Sequence, residues 1–134
     1  ISSENPEIET KNGVANDDSR VCRLAYKNFS MLFMGDAQKE AEKRLLADYG
    51  GHLKSDVLKV GHHGSKSSSS VAFIKAVRPT TAVISCGAGN RYDFPHTETL
   101  QILKKESVQI FRIDRDGIIT ICSDGVKFSA EREH

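Results

Sequence analysis

An α/β fold is predicted for this chain by three features of its sequence. Short apolar runs rich in branched aliphatic residues recur at 21–26, 31–34, 57–60, 81–85, 108–113 and 118–122. Amphipathic stretches at helical spacing separate several of them, and Gly, Pro and Ser clusters punctuate the joins. Strands and helices alternating in this way build a mixed, layered sheet with helices covering one face.

Residues 1–19 are rich in Glu, Asn, Asp, Ser and Lys without a hydrophobic period, which predicts an irregular or cut amino-terminal segment ahead of a domain over 20–134. Val21, Leu24 and Tyr26, then residues 31–34, flank Lys27-Asn28 in the pattern of a β-hairpin. Gly35-Asp36 ends the second strand. Residues 37–49 place Ala41, Leu45, Leu46 and Tyr49 at helical spacing with Glu40, Glu42, Lys43 and Arg44 outward, and Gly50-Gly51 stops that helix. Residues 57–60 read as a short buried strand. A helix over 71–77 follows the serine run 67–70, which can cap it, and Pro79 closes it. Residues 81–85 form a β-branched strand, 87–94 a glycine-containing loop, and 95–105 a helix with Pro95 in its first turn. Strands at 108–113 and 118–122 are joined across residues 114–117, and 126–129 adds a last one.

The 134 residues, 38% hydrophobic and 28% charged, suit one soluble domain able to bury roughly two thirds of its unfolded surface. Its 19 basic and 18 acidic residues leave a net charge of +1, so no global attraction to nucleic acid or membrane is expected and a polyanion would be held locally. No apolar run approaches the ~20 residues that cross a bilayer, and neither a transmembrane segment nor a signal peptide is predicted. Cys22, Cys86 and Cys122 lack close spacing, which argues for small buried hydrophobes in a reducing compartment rather than disulfides or a zinc knuckle.

Chemistry concentrates at Gly61-His62-His63-Gly64-Ser65, where two imidazoles between glycines leave a strand and the backbone is free to turn sharply. Asp36 likewise follows a strand, at the carboxyl end where open α/β sheets place ligand groups, although the same position suits an N-cap for the next helix. If the two strands are neighbours, the carboxylate and the imidazoles meet at one edge, a donor set suited to zinc, manganese or iron. Ser65 and Ser67, beside Lys66 and a helix N-terminus, could receive a phosphate or merely cap that helix. The loop with Asn90, Arg91 and Tyr92, followed by His96, could hold a phosphate and stack on a base.

These motifs in order, SMLFMGD at 30–36, Ala41-Glu42, DVLKVGHHGS at 56–65, Ser68-Ser69 with Phe73, Val77-Arg78-Pro79, Gly89-Asn90-Arg91-Tyr92, Pro95-His96 and Asp114-Arg115-Asp116-Gly117, resemble the carboxyl-terminal half of the metallo-β-lactamase-like domain of the ComEC competence proteins. The resemblance covers residues 16–124. It implies an αββα sandwich with metals at one edge, Asp36 as a bridging ligand, and His63 or His62 as the last histidine ligand, His63 being preferred because it precedes Gly64. Asn90, Arg91, Tyr92 and His96 would line the cleft, with a histidine of the pair or His96 steadying the phosphate or protonating the leaving group. The implied cofactor is a pair of divalent ions, zinc or manganese. The implied activity is phosphodiester hydrolysis by a DNase in DNA uptake, with DNA and the membrane channel portion of a bacterial parent protein as partners.

Two departures qualify that expectation. Asp93-Phe94 stands where relatives carry Gly-His, and the His-x-His-x-Asp-His motif of the amino-terminal half occurs nowhere in the sequence. The expectation is therefore a truncated or half domain, metal-poor and inactive by itself, whose exposed sheet edge could pair with a second copy. The alternatives are a non-catalytic binding or assembly module, and a hydrolase of the same superfamily acting on a small molecule.

Overall fold

The computed structural model describes residues 7–11 and 20–133. Its elements are β1 (Glu7–Lys11), β2 (Val21–Tyr26), β3 (Phe29–Phe33), α1 (Lys39–Tyr49), β4 (Val57–Lys59), α2 (Val71–Val77), β5 (Thr81–Ile84), α3 (Thr97–Lys105), β6 (Gln109–Arg112), the single-turn α4 (Ile113–Asp116), β7 (Ile119–Ser123) and β8 (Phe128–Arg132). Strands β1 to β6 form one sheet in sequence order, antiparallel from β1 to β3 and parallel from β3 to β6. Strands β7 and β8 make a separate antiparallel pair. The expected α/β class and mixed sheet are thus observed. Among the described residues no helix is long and apolar enough to cross a membrane.

The two-residue period of the strands sorts their side chains between two cores. Leu32, Leu58, Ala82 and Ile84 face the helices and pack with Ala41, Leu45, Phe73, Ile74, Val77 and Leu103. Phe29, Met31, Val57 and Val83 point the other way and meet Ile119, Ile121 and Phe128 of the β7–β8 pair. Each large apolar side chain so buried contributes about 1.5–3 kcal/mol. Both faces of the central strands are covered, one by helices and one by the small sheet.

The structure departs from several of these expectations. Within the segment read as irregular, Glu7–Lys11 is a strand paired with β2, because a mate of high β-propensity can recruit a polar segment as its edge; residues 1–6 and 12–19 lie outside the described residues. The first helix starts at Lys39 with Gln38 as its N-cap, so Asp36 does not cap it. Glu42, expected outward, is 1% exposed, while Tyr49, expected in the core, is 37% exposed. The third helix starts at Thr97, after Pro95. Strands β6 and β7 do not form a hairpin: residues 113–116 wind into α4, where Asp116 Oδ2 accepts the Arg112 amide at 2.8 Å and Arg112 grips Asp114 at 3.1 and 2.7 Å. That turn carries the chain to the other face of the sheet. Of the cysteines, Cys86 alone is buried; Cys22 is half-buried and Cys122 exposed.

Candidate functional site

Because β3, β4 and β5 are parallel neighbours, the loops leaving their carboxyl ends lie side by side. Asp36 follows β3, His62 and His63 follow β4, and Ser85 begins the loop after β5. Backbone bonds stitch these loops together: the His62 amide donates to Gly35 O at 2.9 Å, and the His96 amide donates to Gly64 O at 3.0 Å. Both glycines of the histidine loop are required by close approach. A Cβ on Gly61 would lie 2.9 Å from Ala37 O, and one on Gly64, whose φ is +83°, would lie 2.6 Å from Pro95 Cβ. His62 and His63 themselves adopt left-handed conformations, φ 50° and 58°, at roughly 1–2 kcal/mol each. Consecutive non-glycine residues held there are the kind of backbone strain that clusters at functional sites.

His63 Nδ1 lies 2.7 Å from Ser85 O, a carbonyl that can only accept, so Nδ1 carries the hydrogen. In the neutral ring this leaves the Nε2 lone pair, which lies 3.3 Å from Asp36 Oδ1. Two electron-rich atoms facing each other call for a proton or a cation between them. A charge-assisted N–H···O bond prefers about 2.7–2.9 Å, whereas two ligands about 2.0–2.1 Å from one tetrahedral ion stand roughly 3.3–3.4 Å apart. The 3.3 Å separation is compatible both with an ion pair to a protonated ring and with two ligands of one divalent ion. Among the described residues no group of three or more His, Cys, Asp or Glu side chains is gathered to hold a metal.

His62, the other candidate, turns elsewhere: its Nδ1 lies 3.0 Å from Ser67 Oγ. Ser65 is buried, and its hydroxyl meets Ser67 Oγ at 2.9 Å and accepts the Ser67 amide at 3.2 Å, so it shapes the loop from within. His96 accepts the Lys66 amide on Nδ1 at 2.9 Å and reaches Tyr92 O through Nε2 at 3.0 Å. Both its nitrogens are used in bracing two loops. Asn90 is an internal strut as well, accepting the Tyr92 and Phe94 amides on Oδ1 and donating to Gly87 O and Phe94 O through Nδ2.

Phe94 sits at the middle of the ring cluster, with centroids 5.4 to 6.0 Å from Tyr92, His62 and His63 and 5.1 Å from His96. Beyond it the Arg91 guanidinium lies over the Tyr92 ring at 5.0 Å and donates to its hydroxyl at 2.8 Å. Tyr92 is 55% exposed, so this cation-and-ring platform is open to solvent beside the histidines. Lys59, at the end of β4, adds a charge: burial pushes its ammonium below its ordinary value, while Asp36 and Cys86 act in the opposite sense. Burial, and then Asp114, push the Cys86 thiol up to about 11, which makes it a poor nucleophile near neutral pH.

Sequence reasoning missed two contributors. Lys59 looked like a strand residue, and nothing in its neighbours marks it. Glu42 looked like helix surface, yet its carboxylate accepts the Ser69 amide at 2.5 Å and the Ser70 amide at 2.9 Å. The helix N-terminus that the sequence left open to a phosphate is thus occupied by a carboxyl group of the chain's own. Burial pushes the Glu42 carboxyl above its usual range, against those two amides.

No family model matches the chain. It is 40% identical over 119 residues to ComE operon protein 3 of Bacillus subtilis (strain 168), covering 89% of this chain and 15% of that protein. It is 37% identical over 111 residues to competence protein ComA of Neisseria gonorrhoeae, covering 83% and 16%, and 42% identical over 92 residues to recombination protein 2 of Haemophilus influenzae, covering 66% and 11%. The chain thus spans about one sixth or less of the relatives it matches. Those relatives are competence proteins of the ComEC family, and their names leave the type of this segment unstated.

Proposed function

We propose that this chain carries the carboxyl-terminal part of a metallo-β-lactamase-like phosphodiesterase, a DNase serving DNA uptake. The observation that carries the reading is the Asp36 Oδ1 and His63 Nε2 pair, 3.3 Å apart with Nδ1 tied to Ser85 O. The names of the competence relatives support the DNA-uptake context.

Asp36 and His63 would hold a divalent ion, zinc or manganese, that supplies Lewis acidity and activates water for attack on phosphorus. The remaining donors, and any second ion, belong to the rest of the parent protein. The Ser85 carbonyl keeps His63 in the tautomer whose Nε2 can donate its lone pair, and Phe94 fixes the imidazole by stacking against it at 6.0 Å. Lys59 contributes positive charge beside Asp36, favouring an anionic substrate. The exposed Arg91–Tyr92 pair suits a phosphodiester oxygen and a stacked base. Hydrolysis would break one P–O bond, with water adding to phosphorus and the departing oxygen taking a proton.

The test is a manganese- or zinc-dependent nuclease assay on the longer parent polypeptide, with linear DNA and a lactone as competing substrate classes. Asp36→Ala is expected to lower DNA cleavage beyond the ~10–100-fold that outer-shell changes typically cost. Unchanged cleavage would remove Asp36 from the metal site. DNA binding without cleavage in every metal would favour a binding module built on Arg91 and Tyr92, and turnover of the lactone alone would move the substrate to a small molecule.

A further inference from the structure

The histidine loop and Asp36 belong to different strand-to-helix connections, so their relative position depends on what joins those connections. Glu42 is 1% exposed and lies on α1, the helix that follows Asp36. Its two carboxylate oxygens accept the amides of Ser69 and Ser70, at the end of the loop that follows His63. A carboxylate is the one side chain of this size that offers an acceptor to each of two adjacent amides. The buried Ser68 hydroxyl then reaches Gly61 O at 2.8 Å and Ser65 O at 3.0 Å, tying residues 65–70 back to the start of the histidine loop. The Lys39 amide adds a third tie from α1 by donating to Ser67 O at 3.0 Å.

We infer that Glu42 is the positioning residue that holds the His62-His63 loop in register with Asp36, by locking residues 65–70 onto α1. Asp36, α1, the serine loop and the histidine loop then form one unit. The strained backbone of His62 and His63 is consistent with such a lock, because left-handed non-glycine residues persist only where their surroundings over-determine them. A carboxylate that merely stabilised α2 would need no link onward to Gly61. Ser68 supplies that link.

The inference rests on the metal-site reading for its metal arm alone, and loop order is read without metal. In the full 134-residue chain, Glu42→Gln keeps shape and volume but turns an NH2 group toward one of the two amides, whereas Leu45→Ala destabilises the same helix without touching the loop. Imidazole nitrogen NMR is expected to show His63 as the Nδ1–H tautomer in the parent chain and a mixture of tautomers in Glu42→Gln. Amide exchange at residues 62–70 should speed at least tenfold more in Glu42→Gln than in Leu45→Ala at matched melting temperature. In the longer parent polypeptide, which supplies the remaining donors, manganese broadening of the His63 ring signals should require at least tenfold more metal in Glu42→Gln. Should Glu42→Gln fail to fold, Ser68→Ala cuts the same chain of contacts one step later and should reproduce the loop effects. The inference is overturned if Glu42→Gln, or Ser68→Ala in its place, lowers the melting temperature but leaves the His63 tautomer and the exchange at 62–70 as in the Leu45→Ala control. Absence of manganese broadening in the longer parent polypeptide would instead count against the metal-site reading, and the tautomer and exchange measurements would still decide the role of Glu42.

Discussion

His63 shows how much one side chain owes to its hydrogen-bonding partner. Without the Ser85 carbonyl on Nδ1 at 2.7 Å, either nitrogen could carry the hydrogen and the lone pair would have no fixed direction. Asp114 makes the same point for a carboxylate. Its bond to Arg112 is the main reason its carboxyl lies below the ordinary 3.8, and both side chains are largely buried. A folded-state value below the unfolded one means that the pair stabilises the fold above about pH 4, and that this contribution is lost as pH falls through the lower folded value. Asp114→Asn should therefore cost about 1 kcal/mol near neutral pH. In urea unfolding series its stability should converge on that of the parent chain in acid; a constant difference at every pH would remove ionisation of Asp114 from the account. Neither residue's role could be read from its sequence neighbours, because each depends on a partner's geometry.

At the scale of elements, strand and helix positions were legible and their faces less so. The hairpin around Lys27-Asn28 and the helix capped by Ser70 follow from local chemistry, and both are observed. Ser70 Oγ accepts the Phe73 amide at 3.3 Å, so Ser70→Ala should lower stability by about 1 kcal/mol in urea unfolding. A loss much larger than that would mean that the Glu42 bonds to the same turn had failed as well. For α1, hydropathy found the helix and misjudged its orientation. Its buried face runs through Ala41, Glu42 and Leu45, because across the interface lie two helix-terminal amides that need an anion. Hydropathy records the polarity of Glu42 and carries no information about those donors. The same limit applies to residues 113–116, read from the sequence as the end of one strand and its connection to the next, where the side chains of Asp114 and Asp116 build a helical turn instead.

For the molecule as a whole, the β7–β8 pair decides whether the central sheet has a covered second face. Phe128 packs on Phe29 with ring centroids 5.5 Å apart, over Met31, Val57 and Val83. Phe128→Ala should cost about 2 kcal/mol, less than a fully buried aromatic because the ring is half-buried, and should lower the urea midpoint without changing the slope. A lower slope would show that the pair had detached and left that face wet. The alternation of apolar and polar residues by itself determined the α/β class, the order of the elements from β2 to β6 and the placement of Asp36 and the histidines after strands, since periodicity and turn chemistry are local properties. The tertiary structure alone decided that β3 and β4 are parallel neighbours, that His63 rather than His62 faces Asp36, and that Glu42 is buried against the serine loop. Those outcomes depend on which distant backbone donors and acceptors the packing brings within about 3 Å, a relation between segments that no single segment contains.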